Sequence, residues 1–288
     1  MRKSSKRPDL TVINYADSAF SKAQSLNSLS AKMCGKAGKV IEYSPSCIDV
    51  QFREKYSDIL SIPTGGGCWL WKPYIVNDAL QKINEGDYIF YLDSGALFRK
   101  KIEPFISFME ENGLDLLCFS TPFPENRWTK KSFIDHYYSV NNLKTDDFQI
   151  EATYFIIKKT KRTVSFCKEW LELCCVKENI DNSGLAEGEY HRNDQSLFSY
   201  LCKKNGFVSY ASPSNRYFQD SFDHELVKFF KNDDERNVYR ENYGEIPTIR
   251  DTEFSVFCHG IRNTYLYYIK VLYQYIHAIR QYYKSKHK

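Results

Sequence analysis

No stretch of the 288 residues approaches the roughly 18 consecutive uncharged apolar residues that a membrane-crossing helix requires. The opening MRKSSKRPDL is basic, but no apolar run follows it, so a cleaved secretory leader is not expected. Charge of one sign is also scarce. The 40 Lys and Arg against 36 Asp and Glu leave a formal +4, too weak a bias to point to nucleic acid. No CxxC pair occurs, and the nine cysteines are an odd number scattered from Cys34 to Cys258. That pattern argues against a disulfide framework and for reduced, mostly buried thiols. No internal repeat or low-complexity tract is present. Together these absences predict a cytoplasmic protein, neither secreted nor membrane-spanning.

What is present reads as a globular core. Hydrophobic residues make up 42% of the chain, and its 22 Tyr and 20 Phe supply many large rings, half of them with a hydroxyl to satisfy. The length allows one large α/β domain or two small ones. Short apolar runs at 10–15, 40–43, 58–62, 88–92, 114–119, 153–157, 207–210 and 254–258 predict strands. Between them Val76, Ala79, Leu80 and Ile83, and again Cys167, Trp170, Leu171 and Cys174, recur at helical spacing. Strands alternating with helices predict an α/β fold, Rossmann-like, with a mainly parallel central sheet and helices on both faces. Ligands of such sheets bind outside the carboxyl ends of the strands, so the residues just after each strand matter most. The polar stretch 179–193 predicts a loop, and the charged stretch 228–252 an irregular surface region.

The most informative stretch is GGGCWLWKPYIVNDALQKINEGDYIFYLDSGAL, residues 65–97. Proline suits the first turn of a helix and pushes its predecessor out of helical conformation, so a helix is expected from Pro73 with 65–72 as the loop before it. The next strand ends in Asp93, Ser94 and Gly95, which places Lys72 and Asp93 along one sheet edge. A lysine at a helix start is a seat for phosphate, and a carboxylate nearby can hold the divalent ion that phosphates bring. The glycine triplet, with Trp69 and Trp71, reads as a ligand-contacting element or as an ordinary loop with two packed rings.

A hydrophobic strand ending in YLDSG resembles the D-x-D element of GT-A glycosyltransferases, and GGGCWLWKPY is similar to bacterial transferases of capsule and surface-polysaccharide synthesis. The resemblance implies the GT-A fold and a hexosyltransferase-like enzyme that uses a nucleotide sugar such as a UDP-sugar. It departs from the pattern where Gly95 stands in place of the second Asp, which leaves Asp93 as the metal carboxylate of the motif, with Ser94 adding at most a hydroxyl. In VINYAD the resemblance implies that Tyr15, Ala16 and Asp17 seat the nucleoside; a core Tyr15 and a helix-capping Asp17 are the plainer readings. Trp71 and Lys72 would complete the donor site. His259, followed by Gly260 after a late strand, matches the metal histidine of such families, and imidazole beside Asp93 favours Mn²⁺ over Mg²⁺.

The string NDQSLF resembles the D-Q element beneath the donor sugar, which implies catalytic roles for Asp194 and Gln195; Asp194 as a helix cap is the alternative. His191 and Arg192 read either as helpers for phosphate or acceptor or as solvated side chains. Glu151, just before the strand expected at 153–157, is a candidate base for an acceptor hydroxyl. Retention is the reading that Asp194 and Gln195 favour, and a working base at Glu151 would mean inversion.

From Tyr265 onward an aromatic and aliphatic stripe with basic flanks predicts an amphipathic helix. It suits peripheral contact with an anionic membrane on the cytoplasmic side, or packing on the protein's own body or a homodimer partner. The expected organisation is therefore a basic tail over 1–8, a GT-A domain over 9–262 and this helix over 263–288. The acceptor would be a glycan or lipid-linked glycan. Two other readings are a sugar-nucleotide nucleotidyltransferase, which typically has a glycine-rich basic loop where NYADSAF stands here, and a non-catalytic glycan-binding or scaffolding protein derived from a transferase.

Overall fold

A computed structural model describes residues 8–212 together with 276, 277, 279 and 280. Six strands form one sheet: β1 (Leu10–Tyr15), β2 (Lys39–Tyr43), β3 (Tyr88–Leu92), β4 (Leu116–Pro124), β5 (Phe148–Lys158) and β6 (Ser209–Ala211). Their order is β2-β1-β3-β5-β4-β6. β1 pairs in parallel with β2 and β3, and β6 in parallel with β4. β5 alone runs against its neighbours, β3 and β4.

Alternation along the strands sends side chains to two cores, which is why the central strands read as unbroken apolar runs. Ile13, Ile89, Tyr91, Phe155 and Ile157 face one core with α2 (Trp71–Gln81), α4 (Lys161–Cys174) and α5 (Asp194–Lys204). Val12, Tyr88, Phe90, Leu92 and Ile156 face the other, where Ala31 of α1 (Ser21–Met33) and Phe105 and Met109 of α3 (Glu103–Glu111) pack. The expected doubly covered, mainly parallel sheet is what the chain forms. No helix among the described residues is long and apolar enough to cross a membrane. Every described cysteine is a free thiol.

Several local expectations are corrected. Residues 58–62 do not form a strand; Ser57–Leu60 is a helical turn with Ile59 buried, because a run this short fits either element and its burial decides. The strand expected at 153–157 is the end of the longer, antiparallel β5, so Glu151 lies inside a strand rather than before it. α2 begins at Trp71, not Pro73. Proline's missing N–H is still harmless there, and Lys72, donating its backbone N–H to Trp69 O at 2.9 Å, belongs to the first turn. The strand expected at 254–258, His259, the 228–252 region and the 262 boundary lie outside the described residues, as does most of the helix expected over 263–288.

Candidate active site

The carboxyl ends of β1 and β3 open into a cavity of about 1180 Å³. Tyr15, Ala16 and Asp17 line it from β1, and Asp93, Ser94 and Gly95 from β3. Trp71 and Lys72 reach it from the start of α2, and Asp194 and Gln195 from the start of α5. The structure thus brings together the expected donor and catalytic residues except Glu151 and His259. Glu151 is 1% exposed within β5 and is not part of the cavity lining. His259 lies outside the described residues.

The glycine triplet is neither a flexible loop nor an ordinary helix. Gly65, Gly66, Gly67, Cys68 and Trp69 all have positive φ, of 60°, 59°, 94°, 52° and 60°, making one left-handed turn. Such a conformation costs an L-residue about 1–2 kcal/mol, which glycine avoids. Space dictates glycine as well: a Cβ on Gly67 would lie 2.7 Å from the Leu60 backbone, and one on Gly65 2.3 Å from the Trp69 ring. The turn closes through Gly67 N–H to Ile62 O (2.8 Å) and Cys68 N–H to Thr64 O (2.7 Å). Gly65 O then accepts from Trp71 Nε1 at 2.9 Å, which orients the indole to stack on Tyr15 with centroids 3.8 Å apart. One face of Tyr15 is therefore already covered by Trp71. Burial, with Asp17 nearby, pushes the Tyr15 hydroxyl up to about 12. Asp17 accepts from the backbone N–H groups of Ala19 and Phe20, closing a turn ahead of α1 rather than capping the helix, whose first residue is Ser21 and whose N-cap is Phe20.

Behind the cavity a buried polar network ties the two strand ends together. Asn14 donates to Asn27 (2.7 Å) and Ser28 (3.0 Å), and Asn27 donates to the carbonyls of Asp93 (3.2 Å) and Ala96 (2.7 Å). Ser94 Oγ donates to Tyr15 O, and the Asp93 N–H to Thr153 O. The turn carrying Asp93 is thereby held in place.

Lys72 sits at the centre of the charged part of the site. Its ammonium lies 3.0 Å from Asp194 Oδ2 and 3.5 Å from Asp93 Oδ1, and donates to Ala152 O at 3.1 Å. Burial pulls this ammonium down, and the Asp194 and Asp93 carboxylates more than offset that, so it holds its proton. Lys72 was expected beside Asp93 as a seat for the donor diphosphate; its partners in the structure are the Asp194 and Asp93 carboxylates. Burial pushes the Asp194 carboxyl up to about 6, against the pull of Lys72. Tyr91 donates its hydroxyl to Asp93 Oδ1.

Gln195 is held from behind by a relay that the sequence reading missed. Its Nε2 donates to Gln149 Oε1 at 2.6 Å, and its Oε1 accepts from the Ala152 N–H at 3.2 Å. Gln149 in turn donates to Glu125 Oε1 at 3.0 Å, and Glu125, fully buried, faces the Lys203 ammonium at 3.2 Å. Asn193, just before α5, has φ 47° and ψ −121°, a strained conformation for a non-glycine residue. Its side chain donates to Ile180 O at 2.7 Å, and this anchoring sets the direction in which α5 starts. His191 is buried and paired to Asn179 O at 2.7 Å. Burial, with Lys130 beside it, holds it down to about 4, so it is neutral rather than a phosphate partner.

Among the described residues no group of three or more His, Cys, Asp or Glu side chains clusters as a metal site. Asp93 could offer one carboxylate to a divalent ion.

This sheet order, with its single antiparallel strand and its cavity at the ends of β1 and β3, is the fold of the GT-A glycosyltransferases. Among solved structures, the chain is similar to mouse xyloside xylosyltransferase 1 in its apo form, with a TM-score of 0.52 and 11% identity over 89% of this chain and 99% of that one. It is also similar to the galactosyltransferase LgtC in complex with donor and acceptor sugar analogues (TM-score 0.44, 13% identity, 91% and 94% covered). A third is the glycosyltransferase GlyE of Streptococcus pneumoniae TIGR4 (TM-score 0.47, 14% identity, 97% and 64% covered). The likeness to the xylosyltransferase, at 11% identity, establishes the fold alone. No protein-family model and no curated protein matches the chain.

Proposed function

We propose that this protein is a glycosyltransferase that moves a sugar from a nucleoside diphosphate sugar, such as a UDP-sugar, to a glycan or lipid-linked glycan of a surface polysaccharide. One observation carries the reading: Asp93 and Asp194, distant in the sequence, meet around Lys72 at the rim of a cavity large enough for donor and acceptor. Two carboxylates against one ammonium leave a net −1, the complement of a divalent ion arriving with a diphosphate.

In this reading Tyr15, Ala16 and Asp17 seat the nucleoside, and Asp93, Ser94 and Gly95 the diphosphate. Asp93, with His259, would hold Mn²⁺ or Mg²⁺, which would supply Lewis-acid stabilisation of the leaving diphosphate. Lys72 fixes both carboxylates and places a positive charge beside the developing negative one. The bond between the sugar's anomeric carbon and the phosphate oxygen breaks, and its electron pair leaves with the nucleoside diphosphate. The acceptor hydroxyl oxygen bonds to that carbon and loses its proton. Glu151, the base that inversion would need, is absent from the cavity lining, which favours retention with Asp194 and Gln195 under the sugar. The leaving diphosphate oxygen then takes the proton.

A hydrolysis panel of UDP-, GDP- and CMP-sugars, each with and without Mn²⁺, tests the reading. Turnover of one nucleoside diphosphate sugar supports it; no turnover and no thermal stabilisation by any nucleotide refutes it in favour of a binding protein. We further propose that residues 265–288 place the enzyme on the inner face of an anionic membrane. Deleting them should abolish co-sedimentation with phosphatidylglycerol vesicles, and unchanged sedimentation removes that part.

A further inference from the structure

One part of the cavity lining is made of residues outside the proposed donor site. Trp128, Tyr190 and Arg192 meet there, and of the three only Arg192 was expected from the sequence as a helper for phosphate or acceptor. The Arg192 guanidinium carbon lies 3.6 Å from the centre of the Trp128 ring, and the Tyr190 ring lies 5.8 Å from it. The assembly is anchored. The Arg192 N–H donates to Trp128 O at 3.0 Å, Ser196 Oγ donates to the same carbonyl at 2.9 Å, and Phe123 backs the indole at 4.9 Å. Trp128 is 4% exposed, whereas Tyr190 is 50% exposed.

Chemistry gives this wall a direction. Pockets that enclose one drug-sized ligand run about 300–1,000 Å³, and this cavity, at about 1180 Å³, has room for a second. An exposed tyrosine ring offers an apolar face with a polar edge, which suits the C–H face of a sugar ring. A guanidinium stacked on an indole keeps its charge at every physiological pH, and its planar fork matches carboxylate and phosphate. Arg192 lines the same cavity as Asp194 and Gln195, so whatever it holds shares that cavity with the proposed reaction centre.

We propose that Trp128, Tyr190 and Arg192 form the acceptor subsite, and that the acceptor carries a carboxylate or phosphate near the hydroxyl that receives the sugar. This rests on the glycosyltransferase reading and adds the charge class of its acceptor. The test titrates the full-length chain, saturated with UDP and Mn²⁺, with methyl glucuronide, glucose 6-phosphate and methyl glucoside. At least one anionic sugar binds about tenfold tighter than methyl glucoside, and which one identifies the anion as carboxylate or phosphate. Arg192→Gln removes that preference and leaves UDP affinity unchanged. Equal binding of all three sugars, binding of none, or a preference that survives Arg192→Gln overturns the proposal. UDP binding measured in the same samples separates the two claims, since its absence overturns the donor site as well.

Discussion

Replacing Lys72 with methionine keeps the length of the side chain and removes its charge. Both partners of the Lys72–Asp194 pair are 4% exposed, so water cannot take over the role of the ammonium. Removing one member of a buried pair costs about 3–5 kcal/mol, because the remaining charge is left without a partner. The loss must depend on pH. Burial already raises the Asp194 carboxyl from 3.8 to about 6 with Lys72 present, and without it the carboxyl rises further. A carboxyl raised in the folded state holds its proton more tightly than the unfolded chain does. Its stabilising contribution is therefore complete below the unfolded value and is lost as pH rises through the folded one. In the wild type the difference between 3.8 and about 6 corresponds to roughly 3 kcal/mol lost across that window. Lys72→Met should thus lose about 3–5 kcal/mol at pH 8 and about 1–2 kcal/mol or less at pH 5, where Asp194 takes up a proton. Urea denaturation followed by tryptophan fluorescence at the two pH values measures this. Adding Asp194→Asn to Lys72→Met should abolish the pH dependence. Equal losses at pH 5 and pH 8, or none at pH 8, would refute the claim that Lys72 is the counter-ion of Asp194.

Other consequences follow from the same geometry. Gly67→Ala combines a positive φ with a backbone clash, so it should cost about 2–4 kcal/mol and weaken UDP binding through Trp69 and Trp71. Gly113→Ala, with a positive φ but open space around it, should cost about 1 kcal/mol and leave UDP binding alone; equal losses would contradict the close-approach argument. Gln149→Leu strands Gln195 Nε2, at about 1–3 kcal/mol for a buried group left unpaired, while Glu125 Oε1 keeps the hydroxyl of Thr129 as its donor. It should also lower kcat for donor hydrolysis more than it raises KM, and unchanged stability and kcat would dispose of the relay.

The parts of the site that were legible in the sequence lie close together in the chain. Lys72 and Asp93 are separated by one helix, one turn and one strand, so alternation of elements alone puts them on a common edge. Asp194 and Gln195 were marked by the resemblance of NDQSLF to the D-Q element, and they open α5 rather than precede it, with Asn193 and not Asp194 at the N-cap position. What was hidden needed tertiary information. Lys72 reads as a phosphate lysine until Asp194, more than a hundred positions later, is brought to its ammonium. Cys68 and Trp69 have no preference for positive φ, so three glycines suggested a loop rather than a left-handed turn. The Glu125, Gln149 and Gln195 relay depends on the β4–β5 register, which shifts between Leu117 and Phe119 and again between Ser120 and Pro124. An irregular register breaks the period-2 pattern from which contacts across strands are read. Residues 58–62 failed for a simpler reason, since a short apolar run carries no period long enough to separate strand from helix.

The most direct test of the central claim is calorimetric titration of UDP with Mn²⁺ into the wild-type chain and into Asp93→Asn. The site predicts one saturable binding event in the wild type, weakened at least about tenfold in Asp93→Asn, whose fold remains intact. No binding of UDP or any other nucleoside diphosphate, or equal affinity in the two proteins, would contradict it.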